Sequence, residues 1–295
     1  MDLSGVITNS FADLLSNPKA LVPSLIVSFV ILVAAAIVIF GIASGFGYSI
    51  GHLAFTPVSY NASGTPAVVS SILNAFSKMY GVIVLLAVIT VISFIVSILL
   101  NGTIIAMGDQ IYRKVPVNIS KAFAFARSRY LSLFGAGIFM SAITLLVIGA
   151  AALGIFAAFS SLGVFTGILC TIFIVITAIC TFIFTSILFF QINVAIILEG
   201  KGMVAGLRRS FEIASRNKIN IFAILIITSV VVFAAELIGT FFLIIPILGW
   251  IISMLMGLFI FVWISIVPVY FYRGIIAQGR VDVNNSKQRI TKRNM

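Results

Sequence analysis

Charge is what this chain is short of. Of 295 residues, 8% are charged and only seven are Asp or Glu. Soluble domains carry about 25% charged residues, so a water-soluble globular fold is excluded. Histidine occurs once, as His52, in a stretch that reads as a solvated outer connection. One imidazole there excludes a two-His metal site within the chain and disfavours a His-dependent triad. Cysteine occurs twice, as Cys170 and Cys180 inside one apolar run. On a helix they stand ~15 Å apart, beyond disulfide reach, and they report nothing about redox compartment. No basic segment precedes the first apolar run, which is too long for a signal peptide, so no cleavage is expected.

What fills the chain instead is apolar sequence, 62% of residues, with a mean hydropathy of +1.27. No Asp, Glu, Lys or Arg interrupts 20–77, 79–108 or 130–198, and Glu236 alone interrupts 219–272. A crossing needs ~20 mostly apolar residues, because each amide must find its partner within the segment. These intervals predict six helices, at about 21–45, 80–107, 130–159, 164–193, 219–244 and 248–272. Ser160, Ser161, Leu162 and Gly163 separate the third from the fourth, and Pro246 with Gly249 marks the turn between the last two. The connection 46–77 is longer, rich in Gly, Ser, Thr, Asn and Pro as far as Pro66, after which 67–78 again reads as helical.

Basic residues orient the whole. Seventeen of the 18 Lys and Arg lie on one side of these spans, Lys78 being the exception. By the positive-inside rule both termini are expected in the cytoplasm, across the plasma membrane. The net charge of +11 therefore reads as membrane-surface charge. No aromatic-interleaved basic groove points to nucleic acid.

The cytoplasmic segments echo one another. Ile7, Phe11, Leu14 and Asn17 match Ile119, Phe123, Ala126 and Arg129, and these match Leu207, Phe211, Ala214 and Asn217; a small residue, Ser10, Ala122 or Ser210, precedes each Phe. The first three positions of each set form one helical stripe at i, i+4 and i+7. The expected fold is an all-α integral membrane protein of six transmembrane helices. They form three parallel hairpins, each preceded by an amphipathic interfacial helix. The units cover about 3–110, 115–198 and 203–276, and 277–295 forms a basic tail. Parallel repeats disfavour inverted-topology transporter folds. Phe11, Phe123 and Phe211 would anchor these helices in the acyl boundary. Arg113, Lys114, Lys121, Arg127, Arg208, Arg209 and Arg216 would meet anionic headgroups.

Residues 10–11 and 16–21 (Ser-Phe, Ser-Asn-Pro-Lys-Ala-Leu), the echo at Ser210, Phe211 and Arg216 to Lys218, the hairpin 245–249 (Ile-Pro-Ile-Leu-Gly) and the closing Tyr270, Phe271, Tyr272 and Arg273 carry a resemblance. The chain resembles prokaryotic six-span proteins, archaeal in flavour, that are related to the membrane domain of glycerophosphoryl diester phosphodiesterase. In the bacterial members a separate soluble catalytic domain follows the membrane part. This sequence stops 22 residues after Arg273, so the resemblance implies the fold without that activity.

Candidate chemistry is sparse. Glu236, 18 residues after Lys218, would lie ~27 Å along its helix, near the outer edge of the hydrocarbon. An intramembrane carboxylate is by default a functional-site candidate, a proton or cation site being one form, although near the interface it can simply reach water. Asn101, Gln191 and Asn193 complete a possible intramembrane polar set, with interhelical hydrogen bonding as the plainer role. Asp109 and Glu199 close outgoing helices beside Arg113, Lys114 and Lys201, which suggests pairing; a shared metal site lacks any supporting His or Cys. Pro268 is expected to kink the last helix. The spacings Gly41/Gly45, Gly47/Gly51 and Gly163/Gly167 suit close intrachain packing first and a dimer face second. Asn61, in the pattern Asn-Ala-Ser, would accept N-linked sugar where the machinery exists, whereas Asn118 faces the cytoplasm. No cofactor or metal is expected. The sequence points to a non-enzymatic scaffold or accessory subunit with the lipid bilayer and a membrane protein as partners. The alternative is a transporter or channel for a small or hydrophobic solute or lipid, with Glu236 and the Pro268 region lining the path. A lipid-modifying enzyme, the third class, lacks paired catalytic residues.

Overall fold

The computed structural model describes the backbone of residues 2–30, 33, 67–161, 164–242, 244–245 and 248–293. Among the described residues every regular element is helical, as hydrocarbon-length runs that satisfy their own amides must be. In chain order these are α1 (Leu3–Ser16), α2 (Ala67–Tyr112), α3 (Ile119–Ser128), α4 (Tyr130–Ser161), α5 (Val164–Phe189), α6 (Ile192–Glu199), α7 (Met203–Phe242) and α8 (Leu248–Arg293). A 3-10 turn, Pro18–Leu21, follows α1 and opens a short apolar helix, Pro18–Val30. Five stretches are long and apolar enough to cross a bilayer: Ala87–Tyr112, Tyr130–Ser161, Val164–Glu199, Met203–Phe242 and Leu248–Ala277. The sixth expected span, 21–45, lies outside the described residues beyond its first turns. So do His52, Asn61, Gly163, Pro246 and the glycine pairs of 41–51.

One boundary differs from the sequence expectation, for a local reason. The span expected at 164–193 breaks between Phe189 and Ile192, and a second helix, α6, carries it on to Glu199. At the break, the Ser210 hydroxyl accepts from the Gln191 amide at 3.2 Å and donates to the Leu188 carbonyl at 2.8 Å. Backbone groups freed by the interruption thus find a partner on α7. The expected interfacial helix near 203–216 is set off from the fifth span by a kink within α7 at Asn217, which leaves helical geometry with φ −128, ψ 27.

The chain divides into two compact units, residues 24–97 and residues 1–23 with 98–295. In the smaller, Ile26, Val27 and Val30 share an apolar cavity of about 320 Å³ with Ile89, Ile92, Ser93 and Val96. In the larger, α4 packs on α5, α7 on α8, α5 and α6 on α7, and α1 on α8. Its best-buried residues gather toward the basic flank of the spans: Ile104 and Met107 of α2, Ala195 to Ile197 of α6, and Trp263, Ile266, Val267, Phe271 and Tyr272 of α8. Away from that flank, Leu145, Phe156, Phe165 and Phe173 are exposed. Bare apolar side chains suit a lipid surface, where burial brings no hydrophobic gain.

The expected membrane-facing stripes are corrected in one respect. Phe11, Phe123 and Phe211 are 41%, 45% and 52% exposed, but Leu14, Ala126 and Ala214 are turned inward with the small residues Ser10, Ala122 and Ser210. The inward face of each segment is therefore a row of compact residues, and the Phe stands beside it. Phe11 also packs edge-on to Phe259 and Trp263, at 5.3 and 6.1 Å between ring centres.

Small size matters most at Gly102, where α2 approaches three other helices. A Cβ there would lie 2.6 Å from Leu133 Cδ1, 3.3 Å from Ala126 Cβ and 3.6 Å from Ile197 Cδ1. Overpacking of this kind costs about 1–3 kcal/mol. Gly102→Val is therefore expected to lower the thermal unfolding midpoint in detergent; an unchanged midpoint contradicts this packing.

Candidate functional site

The polar residues of the larger unit collect where the last turns of the α8 span meet the ends of the other helices. Three carboxylates converge on one short segment of α8. The Tyr270 hydroxyl donates to Asp13 Oδ2 at 2.5 Å, and Lys114 Nζ lies 2.5 Å from Asp13 Oδ1. The Tyr272 hydroxyl donates to Glu199 Oε1, which also accepts from Arg209 Nε at 3.2 Å, while Lys201 Nζ stands 2.6 Å from Oε2. Arg273 donates through Nε to Asp109 Oδ1 at 2.7 Å, with Nη2 2.6 Å from the same oxygen, and Arg113 Nε lies 3.0 Å from Oδ2. Both oxygens of each carboxylate are occupied, which is what a half-buried charge requires.

Local structure delivers each group. Asp13 sits in the last turn of α1, whose Ser10 hydroxyl accepts from the Trp263 indole N–H at 3.1 Å and so pins α1 to α8. After α2, Lys114 takes φ 57, an unusual value for a side chain of its kind, and its ammonium reaches Asp13. Asn118 then caps α3, its Oδ1 accepting from the Lys121 amide at 2.9 Å. Gly200 ends α6 in the left-handed region at φ 65, the conformation glycine adopts at lowest cost.

One further regularity concerns three positions matched in the sequence. Asn17, Arg129 and Asn217 each stand at a non-helical joint, with φ of −126, −108 and −128. The Asn17 amide donates to the Asp13 carbonyl at 2.9 Å and the Asn217 amide to the Ile213 carbonyl at 3.1 Å, the same residue spacing in both. Arg129 makes no such bond, and its Nε is buried without a partner.

The site residues expected from sequence fare differently. Arg113, Lys114 and Arg209 hold the carboxylates just described, and Arg208 pairs with Glu212 at 3.4 Å. Lys121, Arg127 and Arg216 are exposed and form no ion pair among the described residues. Asn101, Gln191 and Asn193 are not assembled with Glu236. Gln191 is fully buried with neither amide atom hydrogen-bonded, while Asn101 and Asn193 are half-buried. Glu236 is exposed and lines an open cavity of about 450 Å³ with Thr240, Ser253 and Ile264. Pro268 is buried within a continuous α8, one turn beyond Ile264 of that lining. Sequence reasoning passed over Asp13, Tyr270, Tyr272, Arg273 and Gly200 as site residues. The closing Tyr-Phe-Tyr-Arg run was the visible signal for most of them.

Fold and composition together define a multi-pass helical membrane protein. The chain belongs to the family described as a domain of unknown function, DUF7847, which matches residues 87–277. No curated protein and no solved structure matches the chain. The family match carries no link to glycerophosphoryl diester phosphodiesterase or to archaea, and that likeness rests on the sequence motifs alone.

The Asp109–Arg273 pair is the most testable of the three ties, since its side chains are only 16% and 20% exposed. Asp109→Asn strands a guanidinium and is expected to cost about 1–3 kcal/mol. Adding Arg273→Gln restores part of that loss, so a double-mutant cycle read by thermal unfolding yields a favourable coupling; strict additivity would contradict the tie.

Proposed function

We propose that the chain is a non-catalytic membrane scaffold or accessory subunit, built of three two-span units and inserted with its basic end and both termini in the cytoplasm. The observation that carries this reading is the convergence of Asp13, Asp109 and Glu199 on the last turns of α8. Charged groups there fasten helices to one another, and the reading assigns them no reaction. The shared joint at Asn17, Arg129 and Asn217, together with the buried small residue beside an exposed Phe in each segment, supports the threefold repeat. Exposed Lys121, Arg127 and Arg216 suit anionic headgroups of the inner plasma-membrane leaflet, and Phe11, Phe123 and Phe211 the adjoining acyl boundary. A membrane protein partner would dock on the same rigid frame.

A second reading, a transporter or channel, is favoured by one observation: Glu236 lines an open cavity that also carries the Thr240 and Ser253 hydroxyls. A carboxylate on a span commonly marks an ion or substrate path.

Two measurements bear on these readings. With Cys170 and Cys180 changed to Ser, a single Ser128→Cys is expected to react with an impermeant thiol reagent only after cells are opened; reaction on intact cells reverses the orientation. In reconstituted vesicles screened for solute and lipid uptake, the scaffold reading expects transport no faster than protein-free vesicles, with Glu236→Gln unchanged in uptake and thermal midpoint. Uptake that Glu236→Gln abolishes establishes the transporter instead.

A further inference from the structure

We infer that Arg129 is the seat for a phosphate-bearing anion, the headgroup of an anionic lipid, at the junction of α4 and α6. Arg129 stands one residue before the span Tyr130–Ser161, at headgroup level. Its Nε is buried and has no hydrogen-bond partner, and no ion pair engages it among the described residues. Arg113, Arg208, Arg209 and Arg273 each hold a carboxylate. The acid next to its contact residue, Glu199, is already occupied by Lys201, Arg209 and Tyr272. A desolvated guanidinium donor with no acceptor is unfavourable, and an oxyanion supplies what is missing.

The seat is shaped by Gly200. A Cβ at that position would lie 2.8 Å from Arg129 Nη2 and 3.3 Å from Cζ, so a side chain there would push the guanidinium aside. The register of the three joints gives an independent argument. Asn17 and Asn217 return their amides to the preceding turn, whereas Arg129, at the matching position, leaves its Nε without a partner. A planar fork fits phosphate with two parallel hydrogen bonds. Lys121 and Arg127 on the preceding helix α3 are exposed and form no ion pair among the described residues, so they add positive charge on this flank. The inference needs only that this end of the spans lies at the membrane surface, and it holds for a scaffold or a transporter alike.

The test uses the full chain in nanodiscs of equal phosphatidylglycerol and phosphatidylcholine, followed by detergent extraction and native mass spectrometry of retained lipid. Wild type is expected to keep phosphatidylglycerol in preference. Arg129→Gln is expected to lower that retention about tenfold or more, the scale of a lost charge-assisted hydrogen bond. Arg127→Gln, the same charge change at an exposed site, is the control. Retention by Arg129→Gln equal to wild type, or to the control, overturns the seat. Should Arg129→Gln not fold, Gly200→Ala displaces the guanidinium without altering charge, and unchanged retention in it overturns the seat equally. Inorganic phosphate that raises the thermal midpoint in an Arg129-dependent way, with no lipid preference, overturns the lipid as the source of the anion.

Discussion

Everything else in the larger unit is arranged around the ties between three carboxylates and the segment Tyr270–Arg273. In a bilayer the hydrophobic effect does not press one helix against another, because lipid tails are as apolar as leucine. Position and register must then come from close packing and polar contacts. Here α1, α2 and α6 each contribute one acid, and α8 answers with two phenols and a guanidinium. Removing one partner from such a tie leaves a half-buried charge, which is why these contacts fix geometry more strongly than their net energy implies. The surrounding residues are among the best-buried of those described, with Phe271 and Tyr272 fully enclosed.

Compact side chains make the ties reachable. Ser10, Ala122 and Ser210 let α1, α3 and α7 lie close against the bundle, and two of the three also bond across it. Ser10 receives the Trp263 indole, and Ser210 mends the break between α5 and α6. That break redirects the chain into α6, whose last residue is Glu199. Gly200 then turns the chain without placing a Cβ against Arg129. Sequence, backbone interruption and ion pair form one causal line.

How much of this was legible in advance follows from range. Charge-free intervals located the five spans seen among the described residues, since the bilayer sets a length that any reader can count. The matched positions Asn17, Arg129 and Asn217 marked real joints, because a joint is a local property that leaves a local trace. Pairs within a few residues, Asp109 with Arg113 and Glu199 with Lys201, were also visible. The link from Arg273 to Asp109 spans 164 residues and that from Tyr270 to Asp13 spans 257. No spacing rule connects such residues, and the tyrosines entered the sequence reading only as part of the closing motif. The break at Gln191 was hidden for the same reason, its compensating hydroxyl lying on another helix.

Glu236 belongs to a different electrostatic region from the ties. It follows Arg209 by 27 residues on the same helix, roughly 40 Å at 1.5 Å per residue. The segment between them is uncharged beyond Lys218. Among the described residues its cavity is lined by α7 and α8 alone, apart from the ties. Fastening at one end of these helices and an exposed carboxylate at the other are separable properties, so the frame can be rigid whether or not the Glu236 cavity carries a solute.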